Sequence, residues 1–148
     1  MSDMSKTQGA ATAAAPIHRH RRRVAFQEAD AAGVVFFARF LDYFHDAYVD
    51  FLRARGLALE AAFEDGTWMA PVRRAEADYR RPLRFGDEID VSIVRIEVGN
   101  TEFTLHYRVD TAAGLACEGV TRHVSVDHRT FRRVEIPTVL RRALESRG

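Results

Sequence analysis

The chain carries a single cysteine, Cys117, which excludes an intrachain disulfide and suits a reducing compartment. It has no apolar run approaching the length of a membrane span. A net charge of +1 at pH 7 leaves no overall attraction to nucleic acid. Nothing near the N-terminus reads as a secretory leader, because the basic cluster His18–Arg23 follows a stretch of small residues and no apolar core comes after it. A cytoplasmic protein is expected. No segment repeats. His106 and His123 have no partner at metal-ligand spacing, so no metal site is expected. The rest is ordinary globular material: 148 residues, 47% hydrophobic and 29% charged, enough for one domain with its own core.

Residues 1–17 are rich in Ala, Ser, Thr and Gly and short of large side chains. They read as a disordered tail, leaving residues 18–148 as the folded domain. His18–Arg23 leads into Val24-Ala25-Phe26 and reads as an edge strand whose arginines face water. Phe37, Phe40, Leu41, Phe44, Tyr48, Phe51 and Leu52 then recur at helical spacing. The opposite face carries Arg39, Asp42, Asp46, Asp50 and Arg53 and reads as solvated. Tyr43, Ala47 and Val49 widen the apolar stripe, so this helix should be buried on more than one side, and Gly56 stops it. His45, on the flank of that stripe, reads as a packed or interface histidine, and Cys117 as a small core residue. A short helix over Leu57–Glu64 should end at Asp65-Gly66.

From Thr67 the period becomes two. Thr67–Tyr79 reads as a strand. Ile89, Val91 and Ile93 alternate, and Ile96 and Val98 take the other parity, which puts a bulge near Val94. Phe103, Leu105, Tyr107 and Val109 alternate cleanly, and Leu115–Val126 is the last strand. Gly99-Asn100 and Thr111–Gly114 are turns. Pro137 opens a short helix over Thr138–Glu145. Neighbouring hairpins with one long apolar helix predict an α+β fold: a curved antiparallel sheet of about five strands wrapped around that helix. The open sheet edges and open face argue for self-association.

Between the first strand and the long helix lies Phe26-Gln-Glu28-Ala-Asp30-Ala-Ala-Gly33-Val-Val-Phe-Phe37. One carboxylate, Asp30, sits in a glycine-containing turn, and the helix after it offers N–H groups and the positive end of its dipole. Gly33 lets the backbone approach a bound molecule closely. An acid beside free amides suits hydrolysis of an activated acyl group. The acid attacks or activates water, and the amides hold the oxyanion. An aspartate taken alone in such a place is most often a turn or capping residue. The glycine, the helix and the downstream segment together make Asp30 the catalytic candidate.

Asp30-x-x-Gly33-Val-Val-x-Phe37, the following helix, and Ala77-Asp-Tyr79-x-x-Pro82-x-x-x-Gly86-Asp87 resemble the hotdog-fold acyl-CoA thioesterases. The nearest subgroup is the 4-hydroxybenzoyl-CoA thioesterase type, which includes the Tol-Pal-associated and 1,4-dihydroxy-2-naphthoyl-CoA thioesterases. The resemblance spans Arg22 to Pro137. It implies the hotdog fold, a homodimer or homotetramer, an active site at the dimer interface, and an acyl-CoA substrate with an aromatic or medium acyl group. Coenzyme A is then part of the substrate and no cofactor is needed. The family's essential acid falls on Asp30, and the amide that polarises the thioester carbonyl falls on Phe37. Some relatives have His or Tyr where Phe37 stands, so no side-chain role is implied there. Glu28 stands where Asp is common and is expected outside the reacting centre.

Trp68, Met69 and Val72 are candidates for the acyl pocket and equally for the core. The phosphates of coenzyme A need a basic rim, for which Arg81, Arg84 and Arg132 are candidates within the clusters Arg80/Arg81/Arg84 and Arg129/Arg132/Arg133. Two other readings stand beside the acyl-CoA thioesterase. One is an acyl-carrier-protein thioesterase, whose acidic partner would meet the arginines. The other is a non-catalytic acyl-CoA-binding module.

Overall fold

The computed structural model describes residues 15–66 and 68–146. Of the tail expected over residues 1–17, residues 1–14 lie outside the described residues. At Ile17 the chain is already paired, its N–H donating to the Ile93 carbonyl at 2.8 Å. Five strands form one antiparallel sheet: β1 His18–Arg23, β2 Val72–Tyr79, β3 Glu88–Val98, β4 Glu102–Thr111 and β5 Gly114–Val124. Their order is β1-β3-β4-β5-β2. A 3-10 turn spans Phe26–Glu28, and the helices are α1 Arg39–Ala54, α2 Leu59–Asp65 and α3 Thr138–Glu145. Helix α1 touches β1 and β2, the two edges, as well as β3 and β5, so the sheet curls around it. Among the described residues no helix is long and apolar enough to cross a membrane.

The alternating patterns build the core as expected. Phe103, Leu105, Tyr107 and Val109 of β4 are all buried, as are Ile89, Val91 and Ile93 of β3. The β3–β4 register shifts between Ile93 and Arg95, so Val94 is the bulge, and beyond it Ile96 and Val98 pack on the core. Strand β2 starts at Val72 rather than Thr67, which itself lies outside the described residues. Pro71 has no N–H to offer the ladder, and Met69 makes only an isolated bridge to Val126. Helix α1 is buried on more than one side, through Phe40, Tyr43, Phe44, Ala47, Tyr48, Phe51 and Leu52. It ends in a Schellman motif: Leu57 N–H donates to the Leu52 carbonyl and Gly56 N–H to Arg53, with Gly56 at φ +81°.

Two expectations about charge are corrected. Arg22 turns inward rather than to water, and Asp46 and Asp50 are not a purely solvated face. Strand β1 lies against α1, so its inward parity meets the helix carboxylates. Arg22 Nη1 reaches Asp46 at 3.1 Å, and His18 and His20 lie 2.7 and 3.3 Å from Asp50 Oδ2.

His123 is fully buried, stacked on Phe103 with ring centroids 4.8 Å apart. Its Nδ1 lies 3.1 Å from the Ala70 carbonyl, which can only accept, so Nδ1 carries the proton and Nε2 accepts from Thr121 Oγ1 at 3.0 Å. The Tyr107 hydroxyl then donates to Thr121 at 2.7 Å. Burial, with His45 nearby, pushes the imidazole down to about 4, so it stays neutral as a core hydrogen-bonding group.

Candidate active site

The turn after β1 is closed by backbone bonds. Asp30 N–H donates to the Val34 carbonyl at 2.8 Å and Gly33 N–H to the Asp30 carbonyl at 2.9 Å. Gly33 has φ +83°, where an L side chain is strained, which is why glycine stands there. Asp30 Oδ1 accepts from Ala32 N–H at 2.8 Å, making an Asx turn. Among the described residues Oδ2 has no partner, and in the single chain the side chain is exposed to solvent. The turn leans on the segment after β2: Val34 bridges Arg84, and Val35 N–H donates to the Leu83 carbonyl at 2.7 Å.

The helix entry is tighter than periodicity predicts. Arg39, Phe40 and Leu41 N–H groups donate three residues back, to Phe36, Phe37 and Ala38. Helix α1 therefore begins at Arg39. Phe37 precedes it with its ring 60% exposed rather than in the apolar stripe, and Leu41 is also partly exposed. The Phe36 carbonyl points along the helix to Arg39 N–H at 2.9 Å. In a trans peptide the N–H of the next residue points the opposite way, so Phe37 N–H is aimed out of the helix entrance. No acceptor lies within hydrogen-bond reach of it among the described residues. It is an orphan donor at the positive end of a 16-residue helix.

Beside this amide lies a cavity of about 310 Å³, walled by Val35, Phe37, Phe40, Tyr79, Arg81 and Pro82. Its rings meet edge to face, Phe40–Tyr79 at 5.0 Å and Phe37–Tyr79 at 6.4 Å. Arg80 is taken up by Asp78 and Glu118 at 3.1 and 2.9 Å. Arg81 has no carboxylate within ion-pair distance among the described residues. Phe37 and Arg81 thus meet at one cavity, and Arg84 flanks the Asp30–Gly33 turn.

The other candidates are not brought to this place within one chain. Trp68 is 6% exposed and belongs to the core. Val72 pairs with His123 and Tyr79 with Cys117 at the other end of β2, roughly 23 Å along the strand. Met69 and Arg132 lie at that far end too, Met69 bridging Val126 and Arg132 in the loop pinned by Asp127. Of the two readings open for Trp68, Met69 and Val72, acyl pocket or core, the direction of β2 carries all three away from the cavity beside Tyr79. Among the described residues no group of three or more His, Cys, Asp or Glu side chains is spaced to hold a metal ion.

Glu28 matters more than its assignment outside the reacting centre suggests. It is buried under the turn, and Oε1 accepts from Ala25 N–H and the Tyr43 hydroxyl, both at 2.9 Å. Oε2 accepts from Arg22 at 2.6 Å, and the Arg22 guanidinium lies over the Tyr43 ring at 4.5 Å. Its backbone carbonyl accepts Phe36 N–H at 3.1 Å. Burial alone would raise the Glu28 carboxyl, but the bonds from Ala25 and Tyr43 and the charge of Arg22 outweigh it and hold it below its usual range. An ionised Glu28 therefore staples the turn to β1 and α1.

Known proteins resemble this chain in sequence and fold. The family described as Thioesterase-like superfamily matches residues 24–144. The 1,4-dihydroxy-2-naphthoyl-CoA hydrolases of Rippkaea orientalis and Nostoc punctiforme are 35% and 33% identical over 130 and 127 residues. Each match covers 86% of this chain, and 94% and 86% of the respective relatives. Among solved structures, a 1,4-dihydroxy-2-naphthoyl-CoA thioesterase from Synechocystis superposes with a TM-score of 0.80 at 27% identity, over 86% of this chain and 94% of that one. Fold and relatives agree: the chain belongs to the thioesterase-like superfamily and is a thioester hydrolase of hotdog fold.

Proposed function

We propose that the protein hydrolyses acyl-CoA thioesters, with aromatic acyl groups preferred, to the free acid and coenzyme A. The observation that carries this reading is the orphan Phe37 amide at the entry of α1, seven residues after an Asx turn in which Asp30 Oδ2 has no partner among the described residues. A thiolate leaves without strong acid assistance, so the reaction needs a nucleophile and an oxyanion site. Asp30 Oδ2 attacks the thioester carbonyl, and Phe37 N–H holds the developing oxyanion. The C–S bond breaks, coenzyme A leaves as the thiolate, and a mixed anhydride remains on Asp30. Water then cleaves the anhydride to the free acid and the carboxylate.

The aromatic preference rests on the rings of Phe37, Phe40 and Tyr79 at the cavity, and on relatives named for a bicyclic aromatic acyl-CoA. Arg81 and Arg84 suit the phosphates. Two copies complete each cleft, which accounts for the exposure of Asp30 and of the Phe26–Phe85 edge-to-face pair beside its turn. The single buried thiol, Cys117, suits the cytoplasm.

The test is thiol release from a panel of acyl-CoA thioesters. Benzoyl-, hydroxybenzoyl-, phenylacetyl- and 1,4-dihydroxy-2-naphthoyl-CoA should exceed fatty acyl-CoA in kcat/KM by about tenfold or more, the discrimination an apolar pocket provides. Equal rates across the panel would contradict the aromatic preference, and no release from any member would contradict hydrolysis.

A further inference from the structure

Tyr79 stands at the end of edge strand β2, and its hydroxyl donates to the Phe37 carbonyl at 2.9 Å across 42 residues of chain. That carbonyl belongs to the peptide immediately after the orphan amide. The other peptide flanking Phe37 is held independently, through Arg39 N–H on the Phe36 carbonyl at 2.9 Å. With both planes held, φ and ψ of Phe37 are set, and so is the direction of its N–H. Without Tyr79 the second plane keeps only the 3.2 Å bond from Phe40 N–H, in a helix whose N-cap, Ala38, has no side-chain cap bond. Tyr79 is itself held. Its ring packs edge to face on Phe40 and Phe37, and the next two N–H groups, of Arg80 and Arg81, both donate to the Ala116 carbonyl, at 2.8 and 3.1 Å.

We propose that Tyr79 is a positioning residue for the oxyanion site: its hydroxyl, through the Phe37 carbonyl, fixes the angle at which Phe37 N–H meets the tetrahedral intermediate. This assignment rests on the hydrolase reading. Burial, helped by the neighbouring Cys117, raises the phenol above its ordinary range, so it remains a donor at neutral pH.

Tyr79→Phe tests the assignment, because it deletes the hydroxyl and keeps both ring contacts. Loss of a whole oxyanion donor costs 10²–10³-fold in kcat, so loosening one costs about tenfold, with KM within about twofold of wild type. The unfolding midpoint should stay unchanged, and in labelled protein the Phe37 carbonyl carbon resonance should move upfield as its hydrogen bond is lost. Tyr79→Leu, which also removes the aromatic wall, should raise KM in addition. An unchanged kcat in Tyr79→Phe, or a change confined to KM or to the unfolding midpoint, would overturn the positioning role while leaving the hydrolase reading intact. A wild-type chain inert towards every acyl-CoA would overturn both.

Discussion

Asp30→Asn is expected to lower kcat on an aryl-CoA by roughly 10³-fold or more, with the fold intact. The substitution is a clean one. Asparagine keeps an Oδ1 acceptor, so the 2.8 Å bond from Ala32 N–H survives and the Asx turn with it. Gly33 still closes the loop at φ +83°. Only the charge and the nucleophilic oxygen are lost. Steady-state thiol release and a thermal melt on the same preparation check both halves of the expectation. The variant should still bind acyl-CoA, since the Phe37 amide, the aromatic wall and Arg81 are untouched. Retention of most of the turnover would remove Asp30 from the chemistry. A wild type that binds acyl-CoA but turns none over would instead mark a binding module.

Gly119→Ala should destabilise the protein by about 3 kcal/mol, lowering the unfolding midpoint by roughly 10 °C. A Cβ at this position of β5 would meet two ring atoms of Phe44 at 2.1 and 2.2 Å and the Glu76 carbonyl oxygen at 2.9 Å. Neither neighbour can yield. Phe44 is fully buried and stacked on Tyr107 at 4.8 Å, and the Glu76 peptide belongs to the β2–β5 ladder. The glycine therefore exists to let α1 sink into the sheet, and α1 is the helix whose entry carries the Phe37 amide. Chemical denaturation reads the loss directly. A change below about 1 kcal/mol would mean that α1 is not seated on β5 at this point.

Much of this architecture is legible in the residue pattern because it rests on apolar parity. The switch from Ile89, Val91 and Ile93 to Ile96 and Val98 located the Val94 bulge, since one inserted residue is what flips a strand's inward set. Pro137 and Gly66 marked a helix start and a helix end for local steric reasons. Polar parity is silent by comparison. Nothing in His18–Arg23 says which face is buried until α1 lies on it, so the Arg22–Glu28–Tyr43 network was not foreseen. The Tyr79–Phe37 bond joins distant segments and has no local signature. Phe37 fits the helical spacing of the residues after it, yet the tight turn before Arg39 leaves it outside the helix. That displacement is what frees its amide.

Whether the Asp30 carboxylate itself takes the acyl group is read most directly by turnover of an aryl-CoA in ¹⁸O water, followed by mass spectrometry of the peptide containing residue 30. In a mixed anhydride with an aromatic acid, conjugation with the ring makes the aryl carbonyl the less electrophilic side, so water adds to the aspartyl carbonyl. The expected result is ¹⁸O in Asp30, with the acid from the first turnover unlabelled. Label confined to the acid product from the first turnover, with Asp30 unlabelled, would contradict nucleophilic attack by Asp30.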